Sequence, residues 1–354
     1  MICLTRRAPR PGPPMPDAQR IQLAHGGGGQ LSAELLREVI LPALAGPQRP
    51  EALTDAAVLD APPGRLAFTT DSYVVQPLEF PGGDIGKLAV CGTINDLAMA
   101  GARPVALSLG LVLEEGLDVE LLRRVLCSAG RAAAEAGVPV VTGDTKVVER
   151  GALAGMVVNT AGVGAVLPGA RLGFDRVRAG DRIVLSGPLG EHGLAVMSCR
   201  RGLGFTAELR SDCAALHALV ADLLEALGED VRFLRDPTRG GLAATLVDLA
   251  AASGHDVEID QAAIPVHRTA LAAAEMLGLD LLTVANEGKL VAVVAAGAAE
   301  RAVAALARHP VASRAAVIGT VGGPARPPLV EMLTPLGGRR VVQMPYGEEL
   351  PRIC

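Results

Sequence analysis

Aromatic residues are scarce in this sequence, which has no tryptophan, two tyrosines and five phenylalanines among its 354 residues. Proteins that hold single-stranded nucleic acid stack the bases on aromatic rings, and an aromatic sugar cleft needs large rings as well. The composition therefore argues against both kinds of site. Half of the sequence is apolar, mostly Ala, Val and Leu, which favours helices rich in alanine.

Clustered basic charge and long apolar runs are also missing. The formal net charge is -5 and Lys and Arg are scattered along the chain, so we expect no nucleic acid and no anionic membrane as a partner. No apolar stretch reaches the roughly 18 residues that a membrane-spanning helix needs. We expect a protein of the cytoplasm.

The cysteines show neither of the patterns that mark metal or disulfide frameworks. No C-x-x-C pair and no His cluster at metal-ligand spacing occurs. The six residues are Cys3, Cys91, Cys127, Cys199, Cys213 and Cys354. Most of them lie in apolar stretches and are expected to fill the core. Cys354 instead follows a stretch without periodicity, where a thiol is accessible to modification.

The length predicts two domains. Residues 1–20 contain five prolines and lack the apolar region of a signal peptide, so we expect a disordered extension, with Met15 as an alternative start. Residues 21–166 form a first α/β unit, and a turn-rich passage leads to a second unit at 175–335. Residues 344–354 are expected to be a mobile tail.

Periodicity predicts the elements of both units. The predicted strands are Leu66–Asp71, Val105–Val112, Val138–Asp144, Met156–Val163, Arg182–Ser186, Leu290–Ala295 and Ala316–Val321. The predicted helices are Ile85–Ala100, Val119–Ala136, Gly193–Arg200, Cys213–Leu227, Gly241–Ala252 and Thr269–Leu277. Beyond Pro324 the pattern weakens.

A glycine-rich segment, His25 to Gln30, precedes a helical run. Its backbone N–H groups, including those of Gly27 and Gly28, could hold phosphate at the start of that helix. Four successive glycines are as often a flexible hinge, and the segment matches neither the dinucleotide fingerprint nor the P-loop. Both interpretations stay open.

Five aspartates stand at strand ends and in loops: Asp55, Asp71, Asp96, Asp144 and Asp236. Any one of them could be a helix cap or turn residue. Several carboxylates that face one point repel each other unless a cation lies between them, and oxygen ligands of this kind suit Mg²⁺ bound to nucleotide phosphates.

Two related turns add charge to the pattern. Gly143-Asp144-Thr145-Lys146 has a counterpart in Asn286-Glu287-Gly288-Lys289. Lys146 and Glu287 could form a proton-transfer pair, or a surface ion pair without a role in chemistry. In Asp236-Pro237-Thr238-Arg239-Gly240-Gly241, Arg239 could bind phosphate, whereas Thr238 as a helix cap would explain the same letters.

Together these motifs make the sequence resemble the HypE family of hydrogenase maturation factors, part of the aminoimidazole ribonucleotide synthetase and selenophosphate synthetase superfamily. The likeness runs from about Ile21 to Cys354 and rests on HGGGGQ, VTGDTKVVERG, DPTRGG, ANEGKL and the final PRIC. It implies a two-domain fold, α/β plus α+β, whose N-terminal sheet dimerises, with ATP held between the domains.

The resemblance also assigns residues. It implies Mg²⁺ ligands at Asp55, Asp71, Asp96 and Asp236, nucleotide contacts at these residues and at Gly27, Gly28, Asp144, Asn159 and Arg239, and catalytic roles for Cys354, Lys146 and Glu287. The family's doubled aspartate at the first metal site is Thr54-Asp55 here.

The activity implied is the ATP-dependent dehydration of a carbamoyl group on Cys354 to a thiocyanate. The carbamoyltransferase HypF would load the thiol, and the HypC–HypD complex would receive the cyanide. A small-molecule kinase or synthetase of the superfamily would share the acids without needing Cys354, and a non-catalytic scaffold for hydrogenase assembly would tolerate loss of Asp71.

Overall fold

The computed structural model describes residues 20–27, 29–45, 56–200, 209–344 and 353. Several sequence predictions lie outside these residues: Gly28, Asp55, Cys354, the extension at 1–19 and most of the predicted tail. Within the described residues no helix is long and apolar enough to cross a membrane.

The chain alternates strands and helices throughout. The strands are β1 (Leu66–Tyr73), β2 (Glu79–Phe80), β3 (Gly83–Asp84), β4 (Ala102–Glu114), β5 (Val140–Val148), β6 (Met156–Val166), β7 (Arg182–Leu185), β8 (Val231–Arg235), β9 (His255–Asp260), β10 (Val291–Val294), β11 (Ala316–Pro324), β12 (Val330–Leu333) and β13 (Arg339–Val341). The helices are α1 (Gln30–Leu35), α2 (Leu41–Ala45), α3 (Ile85–Met99), α4 (Val119–Ala136), α5 (Glu191–Arg200), α6 (His217–Leu227), α7 (Gly241–Ser253), α8 (Arg268–Leu277) and α9 (Ala299–Leu306). A π-helical turn, Leu36–Ile40, joins α1 to α2.

The N-terminal unit is a four-stranded sheet in the order β1-β6-β4-β5, with β4 and β5 parallel and the other pairs antiparallel. Helix α3 packs on one face of the sheet and α4 packs beside it. Asp84 caps α3 by accepting hydrogen bonds from the N–H groups of Gly86 and Lys87, at 2.8 and 3.0 Å, which satisfies two donors that the helix leaves free. Almost all of α3 is buried, so the helix is a fixed base for the residues that it carries.

The described part of the chain leaves the other face of this sheet exposed at β1. Leu66 and Phe68 on β1 expose 54% and 75% of their surface there. Because side chains alternate along a strand, the same face carries Val163 opposite Phe68 and Val157 opposite Val112. It is an open apolar face.

The C-terminal unit is built on a seven-stranded sheet in the order β13-β12-β9-β11-β7-β10-β8. Alternate residues of β7 point to opposite faces: Val184 packs with α6 and α9 in one core cluster, whereas Ile183 and Leu185 pack with α7 in another. The two-faced burial explains why β10 is apolar at every position and β7 at every position after Arg182.

Every predicted strand and helix is present, and most ends agree within three residues. The helix predicted from Cys213 begins at His217 instead. Six strands and two helices were not predicted: β2, β3, β8, β9, β12, β13, α2 and α9. In β9, His-Asp-Val-Glu-Ile-Asp, only the two apolar side chains are buried, so local hydrophobicity gives little signal.

Candidate active site

A cavity of ≈ 130 Å³ lies where the two units meet. Strand β1, helix α3, the loop before α7 and the loop before β10 each contribute to its wall. The lining residues are Thr70, Asp71, Tyr73, Gly92, Asp96, Asp236, Thr238, Arg239 and Glu287. Four acids predicted from the sequence thus converge on one cavity, although up to 216 positions separate them.

In the cavity wall, the ring of Tyr73 packs tightly against α3 at Gly92. A Cβ at Gly92 would collide with the hydroxyl of Tyr73, so glycine is required there for the ring to lie against the helix. Burial raises the pKa of Tyr73 well above that of an ordinary tyrosine, and the charge of Asp71 adds to the effect. Its hydroxyl therefore stays protonated beside the acids.

Two aspartates of the cavity, Asp236 and Asp96, lie in surroundings that disfavour their charged form. Burial, helped by the negative charge of Asp96, raises the pKa of Asp236 from 3.8 to about 7. Burial also raises the pKa of Asp96, although a hydrogen bond from Thr69 Oγ1 at 2.8 Å opposes the shift. A cation in the cavity would relieve this repulsion.

Glu287 is an acid of the cavity whose pKa is strongly raised. Its side chain is buried, and Oε1 has no hydrogen-bond partner. Burial raises its pKa well above that of an ordinary glutamate, and the charges of Asp236 and Asp212 raise it further. An orphaned carboxyl of this kind is suited to accept or donate a proton.

The main chain around Glu287 is fixed by a buried ionic network. Asp212 accepts hydrogen bonds from the N–H groups of Glu287 and Gly288, at 3.1 and 3.2 Å. Lys289 bridges Asp212 and Glu191, with Nζ 3.2 and 3.1 Å from the two carboxylates. A Cβ at Gly288 would collide with the main-chain oxygen of Asp212. The loop can therefore hold Glu287 at one position.

Carboxylate oxygens are the kind of ligand that Mg²⁺ prefers, but the carboxylates of the cavity do not form a complete coordination shell. No group of three or more His, Cys, Asp or Glu side chains at metal-binding distances occurs among the described residues. Mg²⁺ in nucleotide sites is commonly bound by one or two carboxylates, with phosphates and water completing the shell. Asp71, Asp96 and Asp236, which line the cavity, would offer such carboxylates to the ion.

Arg239 and Asn159 support the cavity in different ways. Arg239 is largely exposed, and its Nη2 lies 3.6 Å from Asp71 Oδ1, so the guanidinium is available to an anion at the cavity mouth. Asn159 on β6 donates to the main-chain oxygen of Asp71 at 2.9 Å and to Ser72 Oγ at 3.0 Å. These hydrogen bonds join β6 to β1. Asn159 itself does not line the cavity.

The structure places Lys146 away from Glu287 within one chain. Strands β1 and β5 are the two edges of the N-terminal sheet, three strand spacings or about 14 Å apart. Lys146 lies on β5, exposed, and forms an ion pair with Asp144 at 2.8 Å. Both residues point to the open face, in the cross-strand rows of Val112 and Gly110, whereas Asp71 is on the side of α3.

The glycine-rich segment packs against β5, the strand that carries Lys146. Gly26 packs so closely on Val147 that a Cβ would lie 2.8 Å from its nitrogen, and Gly27 follows directly. The predicted site residues therefore divide into two groups. Asp71, Asp96, Asp236, Arg239 and Glu287 lie at one edge of the sheet, and Gly27, Asp144 and Lys146 lie at the other.

Sequence reasoning missed Asp212, Lys289 and His192. Lys289 has a local signal, because it stands with Glu287 in Asn-Glu-Gly-Lys-Leu, directly before an apolar strand. Asp212 and His192 carry no local signal, because their partners come from distant parts of the chain.

Two family models match most of the chain. The model described as AIR synthase related protein, N-terminal domain, matches residues 53–166, and the C-terminal domain model matches residues 178–329.

Curated relatives match nearly the whole length. The carbamoyl dehydratase HypE of Azotobacter vinelandii is 52% identical over 334 residues, which is 94% of this chain and 97% of the relative. The carbamoyl dehydratase HypE of Escherichia coli K12 is 47% identical over 338 residues, 94% of this chain and 99% of the relative.

Solved structures agree. The hydrogenase maturation protein HypE in complex with ATP is 46% identical, with a TM-score of 0.89, over 94% of this chain and 99% of that one. A HypE–HypF complex contains a chain that is 40% identical, with a TM-score of 0.77, over 90% of this chain and 100% of that one. This chain belongs to the HypE family of carbamoyl dehydratases, built from the two AIR synthase related domains.

Proposed function

We propose that this chain is an ATP-dependent carbamoyl dehydratase, which converts an S-carbamoyl group on Cys354 into a thiocyanate and so supplies cyanide for the iron centre of a NiFe-hydrogenase. The observation that carries the proposal is Glu287, a buried and unpartnered carboxyl in a cavity lined by three aspartates, in a chain whose relatives are named carbamoyl dehydratases.

The chemistry requires an oxygen atom to leave and two protons to be removed. The carbamoyl oxygen takes the γ-phosphoryl group of ATP and becomes a leaving group. The nitrogen then loses its protons as phosphate departs, and a C≡N triple bond remains on sulfur. Glu287 accepts a proton from this nitrogen, because a carboxylate with a raised pKa is a stronger base than an ordinary one.

The aspartates hold the nucleotide end of the reaction. Asp71, Asp96 and Asp236 would bind Mg²⁺, which, when present, offsets the charge of the phosphates. Arg239 at the cavity mouth contacts a phosphate oxygen. Tyr73 and the buried residues of α3 keep water away from the reacting carbon.

The complete site requires two copies of the chain. The open apolar face of the N-terminal sheet, with Leu66 and Phe68 exposed, is the surface through which we expect a homodimer to form. A second sheet on this face brings the β5 edge of one copy towards the β1 edge of the other. Lys146, Asp144 and the glycine-rich segment at Gly27 then come from the second copy.

The partners follow from the chemistry of the tail. HypF, with which a relative has been solved in a complex, loads the carbamoyl group, and a HypC–HypD complex receives the cyanide. We place the reaction in the cytoplasm, where the thiol of Cys354 stays reduced.

The experiment follows the mass of the C-terminal peptide. The purified chain is incubated with HypF, carbamoyl phosphate and Mg-ATP, and a carbamoyl adduct on Cys354 should lose one water only when ATP is present. The Cys354→Ala variant should give no adduct while binding ATP as before. An unmodified Cys354, with HypF shown to be active on another HypE protein, would favour a small-molecule kinase instead.

A further inference from the structure

The penultimate residue of the chain is buried. Ile353 exposes 4% of its surface and belongs to the core cluster that includes Phe80, Val196 and Cys213. Its main-chain oxygen lies 2.8 Å from Nε2 of His192 on α5, a residue 161 positions earlier. Ile353 is therefore bound at a defined point of the fold.

His192 is built to make that contact. Its ring is fully buried, and Phe80 packs against it edge to face with centroids 5.3 Å apart and planes at 87°. Nδ1 lies 2.8 Å from Ser211 Oγ, which accepts a hydrogen bond from the N–H of Cys213 at 3.1 Å. Every polar atom of the ring thus has a partner.

These contacts fix the direction of each hydrogen bond. Ile353 O can only accept, so His192 carries its proton on Nε2 and Nδ1 is the acceptor. Ser211 donates to Nδ1 and accepts from Cys213. Burial lowers the pKa of His192, which keeps the ring in the neutral form that this arrangement needs.

The same loop holds Glu287. Ser211 precedes Asp212, whose carboxylate accepts hydrogen bonds from the N–H groups of Glu287 and Gly288. Glu191, the neighbour of His192, joins the network through Lys289. The binding point of the tail and the main chain of the catalytic acid are therefore parts of one packed structure.

We propose that His192 is the positioning residue for the reactive tail: its Nε2–H holds the carbonyl of Ile353, so that the next residue, Cys354, is presented to the dehydration site. This inference rests on the proposed role of Cys354. Consecutive Cα atoms are 3.8 Å apart, so a fixed Ile353 leaves the thiol only a small volume to explore.

The first test measures access to the thiol without any catalysis. Iodoacetamide alkylation of Cys354 is followed by mass spectrometry of the C-terminal peptide, with the exposed Cys127 on α4 as a reference in the same sample. His192→Leu should raise the Cys354 rate about tenfold, the effect of losing a buried hydrogen bond, and leave Cys127 unchanged. His192→Gln, whose amide can donate to the carbonyl, should restore most of the protection.

His309→Leu is the matched control, because His309 pairs with Asp222 in the C-terminal unit, away from the tail. If His192→Leu does not fold, Ile353→Ala changes only the tail and should raise the Cys354 rate as well. An equal alkylation rate in wild type and in both folded variants would overturn the proposal.

The second test separates positioning from structure. In single turnovers with HypF and Mg-ATP, His192→Leu should load carbamoyl at the wild-type rate or faster, bind ATP with unchanged affinity, and dehydrate about tenfold more slowly. Loading, ATP binding and dehydration that fall together would show a structural role and overturn the proposal. A wild-type chain that never dehydrates would count against the proposed function, while the alkylation test would still decide the tail contact.

Discussion

The carboxylate of Asp212 accepts the main-chain N–H of Glu287 at 3.1 Å, and Lys289 neutralises the same carboxylate at 3.2 Å. Glu287, the proposed proton acceptor, is thus held by its backbone, while its side-chain oxygen Oε1 has no hydrogen-bond partner. This division leaves the carboxyl of Glu287 available for proton transfer without loss of its position.

Replacing Glu287 by Gln keeps the shape and removes the base. We expect dehydration to slow by at least a hundredfold, whereas the dissociation constant for Mg-ATP should change by less than about threefold. Single-turnover mass spectrometry and calorimetry measure the two quantities. Equal losses in both would point to a structural role for Glu287.

Lys146 and Glu287 should complement each other between subunits. Lys146→Ala and Glu287→Gln are each expected to be nearly inactive. When the two variants are co-expressed, half of the dimers are mixed and each mixed dimer has one complete site, so about a quarter of the wild-type dehydration rate should return. A mixture as inactive as its components would mean that both residues act from one chain.

Phe68 should decide the oligomeric state. Phe68→Glu places a charge on the open face of the N-terminal sheet, and we expect sedimentation to show a monomer that has lost dehydration but keeps its circular dichroism spectrum. Leu336→Glu is the control, because Leu336 is 99% exposed in the turn before β13. A Phe68→Glu protein that stays dimeric would contradict the proposed interface.

The buried charge of Asp236 should lower the free energy of unfolding. Since burial raises its pKa from 3.8 to about 7, removing the charge with Asp236→Asn should increase the free energy of unfolding by about 4 kcal/mol at pH 8. The affinity for Mg-ATP should fall about tenfold or more. Urea unfolding without nucleotide at fixed protein concentration, and calorimetry, test the two effects. A destabilised variant would refute the argument.

The contribution of His192 to stability should depend on pH. Burial lowers its pKa below 6.5, against the opposing charge of Asp212. As the pH falls below about 6.5, the unfolded chain takes up a proton that the folded chain resists, so the contribution of His192 to stability decreases. The stability difference between wild type and His192→Leu, from urea unfolding, should therefore be smaller at pH 5.5 than at 7.5. A constant difference would mean that His192 is not held neutral by the fold.

Local patterns predicted the elements whose burial is regular. Helix α4 was predicted to its observed ends, because Asp118 caps its start and Gly137 adopts the left-handed conformation after its end. Strand β9 was missed since only two of its side chains are buried. Of the cavity acids, Asp236 stands in a loop after β8, where functional residues are common, whereas Asp71 lies within β1 and Asp96 within α3 and both were found by their residue type.

The sequence by itself determined the alternation of strands and helices, the acids of the site and the family, because these depend on local periodicity and on contiguous motifs. Only the tertiary structure decided which of these residues meet. Lys146 and Glu287 are separated because the strand order β1-β6-β4-β5 puts β5 at the far edge of the sheet. The contact of His192 with Ile353 and the raised pKa of Glu287 arise from burial by distant segments, which no local pattern encodes.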